Sequence, residues 1–80
     1  MHDPPAAGSD VAHHDRRPVL SARELDALRL LAEGRSTARI AAAMSISTNT
    51  ARARIRHLRA KLDVPDRQQV VARARDLGLL

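Results

Sequence analysis

Between Thr37 and Leu62 apolar residues recur at three- and four-residue intervals in two unequal runs: Ile40, Ala41 and Met44, then Ala51, Ile55, Leu58 and Leu62. This is the repeat of a helix and not the alternation of a half-buried strand. Ser45, Ile46 and Ser47 part the runs, which leaves room only for a tight turn, with Ile46 placed to plug the angle between the helices. A short helix, a turn and a longer helix cross at a steep angle, and each presents an apolar stripe that it cannot cover by itself. Further helices must supply the rest of the core.

The flanking sequence provides them. Ser21 followed by Glu24 fits a capping box, and Leu25, Leu28, Leu31 and Ala32 then line one helical face. Gly34 follows as a left-handed stop. Ser36 caps the short helix and Ser47 the long one, which runs to about Leu62. Asp63, Val64 and Pro65 end it, since the residue before a proline avoids helical dihedrals. Asp66 with Gln69 forms a second capping box, opening a helix through Val70, Val71, Ala74 and Leu77 that Gly78 closes. Four helices and no strand predict an all-α fold, a four-helix helix-turn-helix bundle over residues 19–80. Residues 1–18 combine Pro, Gly, Asp and His with little to bury and read as a disordered tail or linker.

Eighty residues allow one small domain. With no Phe, Tyr or Trp, its core must come from Leu, Ile, Val, Met and Ala, and so thin a core gains from dimerisation by mass action. The lack of cysteine excludes disulfide staples and thiolate metal sites. No apolar run approaches the roughly 18–20 residues that span a bilayer, and no signal-peptide core is visible, so a cytoplasmic location is the default.

The net charge of +5 points to a polyanionic partner, and its distribution is more telling. Residues 1–19 set Arg16 and Arg17 against Asp3, Asp10 and Asp15, so all the positive excess lies in residues 20–80. At about 100° per residue, Ala51, Ile55, Leu58 and Leu62 fall within about 60° of one another and must face the core. Opposite them stand Asn49, Ala53, Arg56 and Ala60, flanked by Arg52 and His57, with Arg54, Arg59 and Lys61 on the shoulders.

That pattern suits a helix lying in the major groove of double-stranded DNA. The small Ala53 and Ala60 allow close approach, and Arg52 and Arg56 offer guanidinium forks to guanine edges. Arg54, Arg59 and Lys61 suit phosphates on either side. Ser47, Thr48, Asn49 and Thr50 place hydroxyls, an amide and free N–H groups at the helix start, where a phosphate is held. Solvated helix faces usually mix charge signs. This one carries five cations and no anion between Arg52 and Lys61, which repel one another until a polyanion arrives.

Other groups carry less. His2, His13, His14 and Asp15 lie in the tail and read as solvated rather than metal-ligating. His57 reads equally as a phosphate ligand when protonated and as a plain exposed histidine. Ser21, Ser36 and Ser47 have cap roles and no base partner, so no enzyme is expected, nor a metal, cofactor or small-molecule ligand. Two other classes remain: a basic module docking on an acidic protein, and a sigma region-four-like domain that also contacts RNA polymerase. The first predicts no binding to duplex at moderate salt, and the second requires upstream sequence for promoter melting. A membrane-surface helix fits poorly, because the apolar face is narrow.

Over residues 20–80 the chain resembles the LuxR-type (GerE-type) bacterial helix-turn-helix domain. The likeness rests on Leu20-Ser21-x-Arg23-Glu24, then Leu28, Leu31, Ala32 and Gly34, Ile40-Ala41, Ser45-Ile46-Ser47, Thr50-x-Arg52 and Lys61-Leu62 in that order. It implies a third helix in the major groove, with Arg52, Ala53 and Arg56 facing bases and Thr48, Thr50 and Lys61 touching phosphate. It also implies a homodimer paired through the fourth helix, on which Val70, Val71 and Ala74 lie. Ala51 stands where valine is usual, which loosens the packing beneath the third helix. Arg54 replaces a frequent histidine, and Arg39 stands where an acidic residue commonly completes the Ser36 cap; both favour nonspecific phosphate binding. Members usually carry a phospho-receiver or ligand-sensing module, so a chain of this length reads as a fragment or as a single-domain regulator.

Overall fold

The computed structural model describes residues 18–80, so the expected tail lies outside the described residues except for Pro18. Four helices follow one another, with no strand among the described residues: α1 (Ala22–Ala32), α2 (Thr37–Met44), α3 (Thr48–Leu62) and α4 (Arg67–Asp76).

Each helix starts where a short polar side chain satisfies an orphan amide. Ser21 Oγ accepts from the Glu24 amide at 3.1 Å while Glu24 Oε1 accepts from the Ser21 amide at 2.8 Å, a complete capping box. Ser36 Oγ accepts from the Arg39 amide at 3.2 Å with nothing returned, because a guanidinium has no acceptor. Ser47 Oγ accepts from the Thr50 amide at 3.1 Å. At α4 the expected second box is only half made. Asp66 Oδ1 accepts from the Gln69 amide at 3.0 Å, but Gln69 Nε2 donates to Asp66 Oδ2 at 3.4 Å instead of the Gln69 side chain accepting from the Asp66 amide.

The helix ends divide into two kinds. Gly34 and Gly78 take positive φ of 81° and 74° beyond α1 and α4. Ser45 and Asp63 take the left-handed conformation at φ 56°, a cost of about 1 kcal/mol for a residue with a Cβ. Helix α3 ends at Leu62 as expected, two residues before the one that precedes Pro65. The turn is made at Asp63, with the Val64 amide donating back to the Arg59 carbonyl at 3.1 Å. The left-handed Ser45 likewise sets the angle of the helix-turn-helix, and Ile46 lies half-buried against the core there.

Helix α3 packs against each of the other three. Its predicted inner face, Ala51, Ile55, Leu58 and Leu62, is buried, together with Ile40, Ala41 and Met44 of α2 and Val70 and Ala74 of α4. Helix α1 departs from expectation: Ala27, Leu28 and Leu31 are buried, whereas Leu25 and Ala32 are half-buried. The buried stripe runs Ala27, Leu28, Leu31, with Leu25 packed against the core beside it and the half-buried Glu24 placing a carboxylate at its upper end.

Lys61 neutralises that carboxylate, with Nζ 2.7 Å from Glu24 Oε1, and only 12% of the Glu24 side chain stays exposed. The hydrogen bond from Lys61 comes first, then the Ser21 amide, in holding the Glu24 carboxyl below the usual glutamate range. A lowered folded-state value contributes stability above the unfolded value and loses it as pH falls through the folded one. The melting temperature of Glu24→Gln should therefore lie below wild type at neutral pH and converge with it under acid conditions. A constant gap across that range would show that the carboxylate is not held in its charged form.

Candidate nucleic-acid interface

Because α3 buries only its Ala51–Leu62 stripe, the remainder of its circumference is available for chemistry. Asn49, Arg52, Arg56, His57 and Ala60 are exposed, and Ala53, Arg54 and Arg59 are half-buried. The predicted base-facing set of Arg52, Ala53 and Arg56 therefore shares one outward face. Arg52 Nη1 donates to Asn49 Oδ1 at 3.3 Å, one turn back, which steadies the guanidinium without neutralising it. Among the described residues no carboxylate pairs with Arg52, Arg54, Arg56 or Arg59; the ion pairs there are Arg35–Glu33 and Lys61–Glu24.

At the helix start, capping occupies the Ser47 hydroxyl, which also donates to Thr50 Oγ1 at 2.9 Å. Thr50 and Ala51 have their amides satisfied by Ser47, so the amides of Thr48 and Asn49 are the orphans that point out of the helix. An anion there meets two N–H groups and the positive end of the α3 dipole.

The shoulder cations separate onto two flanks. On one side Arg52, Arg56 and Arg59 border an open cleft together with Thr37 and Arg67, and Arg59 Nη1 donates to the Pro65 carbonyl at 3.3 Å. On the other, Arg54 and His57 border a cleft shared with Ser21, Arg23 and Glu24 of the first helix and its cap. Lys61 belongs to neither flank in the same way, because its ammonium is engaged by Glu24 Oε1 and by the Val19 carbonyl at 2.9 Å. Two of its three N–H donors are thereby used and one is left over.

The fourth helix requires a correction. Val70 and Ala74 are fully enclosed in the domain's own core, so they present no surface to a second copy. Val71 is half-buried, and Gln68, Ala72 and Arg75 beside it are exposed. Equal spacing along the sequence concealed which side of this helix meets α1 and α3. Residues that periodicity did not single out are Arg23 and Arg67, whose placement beside α3 follows from packing and not from the α3 sequence. The histidines and Asp15 of the tail lie outside the described residues.

Residues 18–74 match the GerE family, described as bacterial regulatory proteins of the luxR family. The chain is similar to the probable transcriptional regulatory protein SgaR of Hyphomicrobium methylovorum, 38% identical over 68 residues, which are 85% of this chain and 32% of that protein. It is also similar to the nitrate/nitrite response regulator protein NarP of Escherichia coli (strain K12), 45% identical over 56 residues, 70% of this chain and 26% of that protein. The chain thus spans about a third or less of the curated relatives it matches.

Proposed function

This chain belongs to the luxR family of bacterial regulatory proteins, and from that footing we propose that it regulates transcription by reading duplex DNA sequence with α3 in the major groove. The observation that carries this reading is the anion-free outer face of α3, on which Arg52 and Arg56 stand one turn apart around the small Ala53. Arg52 and Arg56 address guanine edges, and the Ala53 methyl meets a base methyl or simply admits the helix. The Thr48 and Asn49 amides, with Ser47 and Thr50 organising them, take a phosphate at the helix start. Arg54 and Arg59 take phosphates on opposite strands.

Pairing as a homodimer would use the Val71 side of α4, so that two copies of α3 address two-fold-related half-sites. The exposed Gln68 and Arg75 beside Val71 and Ala72 leave that surface only partly apolar, in keeping with a pair that forms chiefly on DNA.

Fluorescence anisotropy with a random duplex pool across a salt series, followed by sequencing of the bound fraction, tests this directly. A steep fall in affinity with salt and an enriched two-fold motif are expected. No binding even at low salt would overturn the reading and favour an acidic protein partner. Lys61→Ala should weaken binding to all sequences alike and also lower the melting temperature, since it removes both a phosphate contact and the Glu24 pair. A lower melting temperature with unchanged DNA affinity would assign Lys61 to the scaffold alone.

A further inference from the structure

Arg67 is the first residue of α4, a helix to which nothing above gives a nucleic-acid contact. Its guanidinium crosses to the start of α2, where Nη1 donates to Thr37 Oγ1 at 2.7 Å and Nη2 donates to the Arg35 carbonyl at 2.6 Å. Helices α2 and α4 do not otherwise pack on each other, so this side chain bridges them. Thr37 is likewise the first residue of its helix. The cation therefore sits where two helix dipoles present their positive ends, a place that ordinarily favours an anion.

Arg52, Arg56 and Arg59 line the same open cleft of about 290 Å³, with Ile55 as its apolar wall and no carboxylate among the lining residues. Four guanidinium groups beside two helix N-termini raise one another's energy in the free protein. The bonds to Thr37 and Arg35 use two of the five N–H donors of Arg67, leaving three, and they hold the guanidinium still. A fixed fork with spare donors, ringed by like charge and open to solvent, is an anion site prepared before its ligand arrives. Its location names the ligand: it adjoins the exposed face of α3, on the side of Arg52 and Arg56, where the strand bordering the groove would pass.

We propose that the cleft between the starts of α2 and α4 is a phosphate site, anchored by Arg67, that holds a backbone phosphodiester of the DNA strand flanking α3. This rests on the DNA-reading function above and adds α4 to the interface. Because Arg67 also ties α4 to α2, the phosphate would be gripped by the part of the molecule that joins the reading unit to the fourth helix.

The test uses the full chain and a duplex recovered from the selection, with Arg67→Gln and Thr37→Val compared across a salt series. Arg67→Gln should reduce the slope of log affinity against log salt by about 0.9 for each protomer bound, so about 1.8 for a pair on a two-fold duplex, and should weaken binding to selected and random duplex alike. Thr37→Val keeps every charge and loses one tether, so its slope should match wild type. A cooperatively melting Arg67→Gln with the wild-type slope overturns this site alone; absence of wild-type binding at low salt overturns the DNA reading with it. Equal weakening by both variants at unchanged slope would reduce Arg67 to a tether. If Arg67→Gln does not fold, Arg67→Lys decides: retained slope with several-fold weaker binding supports the site, and wild-type affinity overturns it.

Discussion

Truncation of Leu58 to alanine should leave much of the chain unfolded near physiological temperature. Leu58 is completely buried in the middle of the helix that packs against all three others. Deleting a buried leucine side chain typically costs about 2–5 kcal/mol, part for lost transfer energy and part for the cavity left behind. Globular chains hold only about 0.05–0.15 kcal/mol of stability per residue, so a domain this short has little more than that to lose. The core contains no aromatic side chain that could shift to fill the space. Urea unfolding followed by far-ultraviolet circular dichroism gives the comparison, and a midpoint equal to wild type would contradict the packing described for α3. Excess duplex should restore part of the lost signal, because a ligand of the folded state shifts the equilibrium by mass action.

Arg56→Ala should cost about 1–3 kcal/mol on the selected duplex and much less on random sequence, with relaxed discrimination at one position in each half-site. Arg56 is exposed, and no carboxylate among the described residues engages it, so its removal leaves the fold intact and the effect falls on recognition. Arg56→Lys sharpens the test, since it keeps the charge but loses the planar fork that reads two acceptors at once. Base reading predicts that lysine fails to restore discrimination while restoring nonspecific affinity. Equal losses on selected and random duplex for Arg56→Ala would move Arg56 to the phosphate cleft that it already borders.

Much of this molecule was legible in the sequence, and the reason is the range of the interactions concerned. Ser21, Ser36, Ser47 and Asp66 all cap as expected because a cap joins residues three apart, and no tertiary partner is needed. The faces of α3 were legible because four apolar residues at helical spacing admit one inward side, and the cations are what remains. Where two signals competed, the reading slipped. Leu25 packs on the core but stays half-buried, as does Ala32, and the helical repeat of the leucines did not single out Ala27, which is fully enclosed. The end of α3 at Leu62 was legible from Asp63, Val64 and Pro65, but not the left-handed backbone at Asp63 that makes the turn.

The sequence by itself determined an all-α chain, the starts of its helices, the inward stripe of α3 and the cationic face opposite. Each is a property of one helix and its immediate neighbours, carried by capping, by the helical repeat and by charge. Only the tertiary structure decided the partner of Lys61, the inward burial of Val70 and Ala74, and the reach of Arg67 to Thr37 and Arg35. Those depend on which helices lie side by side: Glu24 and Lys61 are 37 positions apart, and Arg67 and Thr37 are 30. A helical repeat records which way a side chain points but not what waits there, and that is settled only when the four helices close on one core.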